Sequence, residues 1–214
     1  MDMALTMVHL LVADHWAEAH PEYRESPEFY YGVISPDAIH IRDGNDKSHK
    51  NVIHLNNWGD PHPEDVVAYW RQHATPFDIG YGVHVLTDAQ WVPRFRRRLP
   101  DIIRPDGKLN TDIYYNDTFV TDFRLYGAFK RLEEILKMIE RADTPGDHPL
   151  LTADEFGQWR DTTLKAYRGE CPFHEPVRFI DEAYVLSFVE DSYSMIEDTY
   201  TIFTSDGAAV QPEA

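Results

Sequence analysis

A chain of 214 residues, 43% of them hydrophobic, is long enough for one large domain and too apolar to remain unfolded. Its 37 acidic and 20 basic residues leave a formal charge of −17. That argues against a nucleic-acid backbone or an anionic membrane surface as the main partner, but not against a small anionic substrate, because a bound metal can reverse the local field.

The opening MDMALTMVHLLVADHW carries an apolar run without a basic n-region or a clear cleavage site, so residues 3–19 are read as a buried helix and not a signal peptide. No stretch approaches the ~20 apolar residues of a membrane span, and no stable membrane insertion is expected. Ser26-Pro27-Glu28 supplies an N-cap and a proline at the first helical position for a short helix over 27–34, which Ser35-Pro36 ends. Residues 37–45 read as loop, with Gly44-Asn45 as the turn signal, and Asp46 caps a helix over 47–56. His62-Pro63-Glu64-Asp65 opens another, to about 74. Residues 77–98 are a strong helix with a kink expected at Pro93. After a loop holding Pro100, Pro105 and Gly107, residues 111–141 are helical and close on the amphipathic FKRLEEILKMIER. Thr152 and Glu155 form a capping box into a helix to about 168, residues 179–203 make the last helix, and 206–214 a frayed tail. Few segments alternate as strands do, and no linker or internal repeat divides the chain. The expectation is an all-α single domain over residues 1–205. Cys171, the single cysteine, rules out an intramolecular disulfide and points to a reducing, cytoplasmic setting.

Chemistry concentrates in a few segments. In YGVHVLTDAQW, residues 81–91, His84 and Asp88 are four apart and share a helical face with Tyr81 and Trp91. Alone, such a pair is commonly a salt bridge or hydrogen bond. On a stripe of large aromatics it is also what a metal site inside a helical bundle requires. His9 sits among Leu5, Thr6, Val12 and Ala13, where a histidine is more often a satisfied core residue than a ligand. Asp37 follows Pro36 and would serve equally as a turn or cap residue. His49 lies near a helix start beside Val52 and Ile53, while His40, Asp43 and His54 read as weaker, solvated candidates. Taken together, His9, Asp37, His49, His84 and Asp88 mix histidine and carboxylate in a way apt for zinc or another divalent transition metal.

The ordered set VHL (His9), ISPD (Asp37), KSH (His49) and GVHVLTD (His84, Asp88) resembles the bacterial zinc-dependent phospholipase C family over roughly residues 3–125. The resemblance implies an all-helical fold with a metal cluster in a cleft, shared with fungal single-strand nucleases. Carried over, Asp37, His49, His84 and Asp88 would bind one ion with Asp88 bridging, His9 and Asp88 would help bind a second, and Asp37 matches the carboxylate assigned as base for the attacking water. Secreted members begin at a tryptophan whose backbone binds metal and carry an H-x-x-x-E helix; this chain begins at Met1, and residues 114–126 hold no histidine. Asp122, on a face with Tyr115, Phe119 and Tyr126, is the acid expected to reach a metal there, with Asp117 solvated. One or two ions are expected, acting on a small-molecule phosphoester, and no β-sandwich for membrane docking.

Two rival readings stand beside this one. The chain contains no adjacent His-Asp pair of the HD phosphohydrolase type, whereas a catalytically inactive metal-binding or interaction protein on the same helices stays open. Tyr30, Tyr31, Trp58, Tyr81 and Trp91 would line a cleft or, more commonly, simply be core. The run RFRRRLP, residues 94–100, reads as a solvated face offsetting a helix C-terminal dipole, with recruitment of an anionic substrate or partner as the competing use.

Overall fold

A computed structural model of the chain describes residues 4–43, 49–57, 61–146 and 148–205, and among these every regular element is helical. The expected turn at Gly44-Asn45, the cap at Asp46, the tail from 206 and Trp58 lie outside the described residues.

Helix α1 (Thr6–Ala17) runs through the middle, as its apolar composition requires, burying residues on several sides against α3, α7, α8, α9 and α11. Its N-terminus has no side-chain cap of its own; acids from distant elements hold this end instead, one on the residue ahead of the N-cap and one in the first turn. Asp88 takes the Ala4 N–H at 3.2 Å and Asp122 takes the Met7 N–H at 3.1 Å. A short helix α2 (Pro21–Arg24) leads to α3 (Pro27–Ile34), where the Ser26 hydroxyl accepts the Phe29 N–H as the cap signal indicated.

Helix α3 packs on α7 (Pro76–Arg98) backbone to backbone, and glycine makes it possible. A Cβ added to Gly32 would meet the Phe77 carbonyl oxygen at 2.0 Å, and one added to Gly80 would meet the Phe29 carbonyl oxygen at 2.0 Å. The two backbones therefore touch through reciprocal glycines. Helix α7 begins with a complete capping box between Thr75 and Asp78 and continues through Pro93 to Arg98.

Three expectations need correction. Ser35-Pro36 does not lead into loop; it opens a 3₁₀ turn (Ser35–Ala38) that passes directly into α4 (Ile39–Asp43). The helix expected over 47–56 shrinks to α5 (Lys50–Ile53), because Leu55 and Asn56 adopt positive φ of 50° and 58° and reverse the chain. The helix expected over 111–141 divides at an extended Phe129 into α8 (Thr111–Ala128) and the strongly amphipathic α9 (Lys130–Arg141). Helices α6 (Pro63–Gln72), α10 (Ala153–Arg168, with its capping box at Thr152 and Glu155) and α11 (Glu182–Ser205) lie close to their expected bounds. No helix is long and apolar enough to cross a membrane among the described residues.

Candidate metal centre

Four buried side chains from three neighbouring elements point their donor atoms at a common volume. Asp37 comes from the 3₁₀ turn, His54 from the C-terminal end of α5, and His84 and Asp88 from successive turns of α7. One donor atom from each lies within 4.8 Å of all the others. His54 Nε2 is 3.3 Å from Asp88 Oδ2, and His84 Nε2 is 3.7 Å from the same oxygen. Asp37 Oδ1 is 4.0 Å from His54 Nε2 and 3.9 Å from His84 Nε2. In a tetrahedral zinc shell with bonds near 2.0–2.1 Å, ligand atoms sit roughly 3.3–3.4 Å apart, so the two histidines already stand close to ligand spacing from Asp88, while Asp37 would move in by roughly half an ångström or more around an ion.

Both imidazoles are oriented by backbone carbonyls. His84 Nδ1 lies 2.7 Å from the Val33 oxygen of α3, and His54 Nδ1 lies 3.1 Å from the Lys50 oxygen one turn earlier. In each ring Nδ1–H then donates to the carbonyl and Nε2 presents its lone pair to the shared volume, the arrangement that fixes a metal-binding tautomer. Burial, and then the neighbouring His9, drives the His84 pKa well below its ordinary value, and burial likewise lowers that of His54. Burial works to raise the Asp88 carboxyl, but His9, His54 and His84 outweigh it and hold the group well below the usual carboxylate range. Neutral imidazoles beside the ionised Asp88 are the protonation states that a cation needs.

The fit extends to hydrogen bonding. Asp37 Oδ1, His84 Nε2 and Asp88 Oδ2 are fully enclosed and form no hydrogen bond among the described residues. Buried polar atoms are normally satisfied, so several orphaned acceptors facing one another are what a cation would resolve. Lys50 is also buried here, with Nζ 3.8 Å from Asp37 Oδ1.

Of the residues singled out from sequence, Asp37, His84 and Asp88 come together. His9 stands beside them: its ring stacks on His84 with centroids 3.8 Å apart and planes 7° apart, and Nε2 lies 3.4 Å from Asp88 Oδ1, the oxygen other than the one His54 and His84 approach. His49 does not join. It sits exposed at the N-terminal end of α5, and His54, completely buried, takes its place, because the chain reversal at Leu55 and Asn56 directs the end of α5 inward. Tyr81 fixes that end by donating its hydroxyl to the Ile53 carbonyl at 2.8 Å. The apolar flank Ile53-His54-Leu55 and the following Asn56-Asn57 were the available signals, asparagine being tolerant of positive φ.

Asp122 is buried but lies outside the four-donor group: its carboxylate accepts the Met7 amide and a short hydrogen bond from the Tyr167 hydroxyl, and burial raises its pKa to about 7. Asp117, expected in solvent, is completely buried. It accepts the backbone N–H groups of Arg178, Phe179 and Ile180, at 2.7 Å for Phe179, and so anchors the strap between α10 and α11 onto α8. Tyr30, Tyr31, Tyr81 and Trp91 are core. No protein-family model, curated protein or solved structure matches the chain.

Proposed function

We propose that this chain binds a divalent transition-metal ion, with zinc suited to the donor set, through Asp37, His54, His84 and Asp88, and uses it to hydrolyse a small-molecule phosphate ester. The observation that carries the reading is the aim of the two imidazoles: each has Nδ1 on a backbone carbonyl and Nε2 turned to the same pair of buried carboxylates. A divalent ion in such a shell supplies Lewis acidity, lowering the pKa of a water and offsetting phosphoryl charge.

The remaining roles fall to the chain. Asp37, at 7% exposure the least enclosed of the four, is the carboxylate assigned to accept the proton of the attacking water. Val33 and Lys50 hold the imidazole tautomers through their carbonyls, and the Lys50 side chain beside Asp37 adds a positive group that favours a phosphate over a neutral substrate. His9, against Asp88 Oδ1, is the residue toward which a second ion would extend the site. The overall charge of −17 favours a soluble phosphoester, or a lipid presented singly, over an anionic bilayer.

A second reading is favoured by one observation. Four enclosed protein donors complete a tetrahedral shell, as in structural rather than catalytic zinc sites. Metal analysis of protein purified without added ions, followed by turnover of p-nitrophenyl phosphate and bis(p-nitrophenyl) phosphate before and after chelation, separates the two. Stoichiometric metal with chelator-sensitive turnover is the expected result. Metal without turnover of either ester, or of a broader phosphoester panel, leaves the structural role. Protein that neither retains nor takes up a transition metal overturns both.

A further inference from the structure

The run RFRRRLP is not simply a solvated helix end. Arg94, Arg97 and Arg98 follow one another at helical spacings of three and one, so they form a single stripe on the last turns of α7. Arg94 is 94% enclosed (6% exposed) and held from several sides. It pairs with Asp191 of α11, donates to the Ser187 hydroxyl at 2.6 Å, and has its guanidinium carbon 5.4 Å from the Tyr184 ring centre and 5.5 Å from that of Phe188. Its Nε, fully buried, has no hydrogen-bond partner among the described residues.

This stripe faces a cavity of about 560 Å³ between α7 and α11. Arg94, Arg97 and Arg98 line it, against Asp191 as the one carboxylate on its wall. Arg94 and Arg98 share that carboxylate, at 3.3 Å for Arg98, while Arg97 pairs with no acid among the described residues. The wall is therefore net cationic on a chain of charge −17. The rest of the lining is largely apolar, with Phe188, Met195 and Pro93. The helix dipole accounts for basic residues at the end of α7, but not for a guanidinium preset over two aromatic rings, with the acid-free Arg97 one turn on, lining a cavity of small-ligand size. The stripe also lies six to ten residues beyond Asp88 on α7, roughly 9–15 Å further along the axis at 1.5 Å per residue, so the cavity and the four-donor group are separate places on one helix.

We infer that this cavity is a second ligand site, taking a small molecule with an oxyanion head on an apolar body, the head held by Arg94, Arg97 and Arg98 and the body against Phe188 and Met195. The inference is independent of the metal reading, since none of these residues touches the four-donor group.

Calorimetric titration of the full chain with 1-naphthalenesulfonate, inorganic phosphate and the uncharged 1-naphthalenemethanol tests it. The sulfonate is expected to bind, more tightly than phosphate and at least tenfold more tightly than the alcohol. Its affinity is expected to fall at least tenfold in the Arg97→Gln/Arg98→Gln double variant. Both positions are exposed, so the variant should keep the wild-type urea midpoint, and that midpoint is measured alongside. Absence of sulfonate binding at millimolar concentration, an alcohol that binds as well as the sulfonate, or equal affinity in a folded double variant would each overturn the inference.

Discussion

At the scale of single residues, the legible part of the site was the part written in a regular period. His84 and Asp88 needed only the spacing of one helix to fall on a common face, and both reach the shared volume. His54 was less legible, because a helix over 47–56 would have turned it away from the inward face; the positive φ at Leu55 and Asn56 is a backbone event that hydrophobic period does not encode. His54→Ala is therefore expected to weaken metal binding by about 100-fold or more, beyond the 10–100-fold typical of supporting residues, with His49→Ala retaining full stoichiometry; metal analysis of the two proteins side by side checks this. Asp88→Asn is expected to lower metal content more than any other single change, since Asp88 faces His54, His84 and His9 at once. Asp117 carries a different expectation. Its removal in Asp117→Ala strands three backbone donors, and at roughly 1–3 kcal/mol for a buried unsatisfied group, partly relieved by water, urea denaturation should show a loss of about 2–4 kcal/mol.

Among elements, the controlling contact is the crossing of α3 and α7. It sets the distance from the Val33 carbonyl to the His84 ring, so local backbone clearance and metal chemistry are coupled. Gly80→Ala should push the helices apart, at about 1–3 kcal/mol for overpacking, and should weaken metal binding although no ligand is altered. A variant as stable as the wild type would contradict the crossing. The glycines were visible in the sequence, but their reciprocity was not, because it depends on which two helices meet. A second joint, between α4 and α10, is electrostatic. Arg42 grips Glu155 through Nε at 2.6 Å, and this guanidinium holds the Glu155 carboxyl down at about 2. A depressed acid stabilises the fold above its unfolded pKa and loses that contribution as pH falls through the folded value. Glu155→Gln should therefore lower the urea midpoint near pH 6 by an amount within about 1 kcal/mol, as befits a partly exposed pair, and the gap from wild type should close as pH falls from about 4.5 toward 2.

Over the whole molecule, the all-α architecture followed from the lack of strand alternation and from caps at Ser26, Thr75 and Thr152, each of which accepts the amide its position requires. What composition could not convey was the number of acids spent indoors: Asp37, Asp78, Asp88, Asp117 and Asp122 are all buried. If the four-donor group holds an ion, removing it leaves two of these carboxylates, Asp37 and Asp88, with only the Lys50 ammonium beside Asp37 to offset their charge. At an ion concentration 1,000 times its Kd, linkage gives about 4 kcal/mol, and at roughly 2–4 °C per kcal/mol for a chain of this size, chelation should lower the melting temperature by about 8–16 °C. A scan that does not move on chelation of a metal-bearing sample would contradict that coupling.

The manner in which α1 is seated has a consequence for synthesis. The Ala4 amide just ahead of it and the Met7 amide in its first turn are received by carboxylates 84 and 115 positions further along the chain. A ribosome delivers α1 well before Asp88 and Asp122, so the nascent helix, apolar on several sides, must wait for both carboxylates to emerge. That interval is when a chaperone would have most to hold.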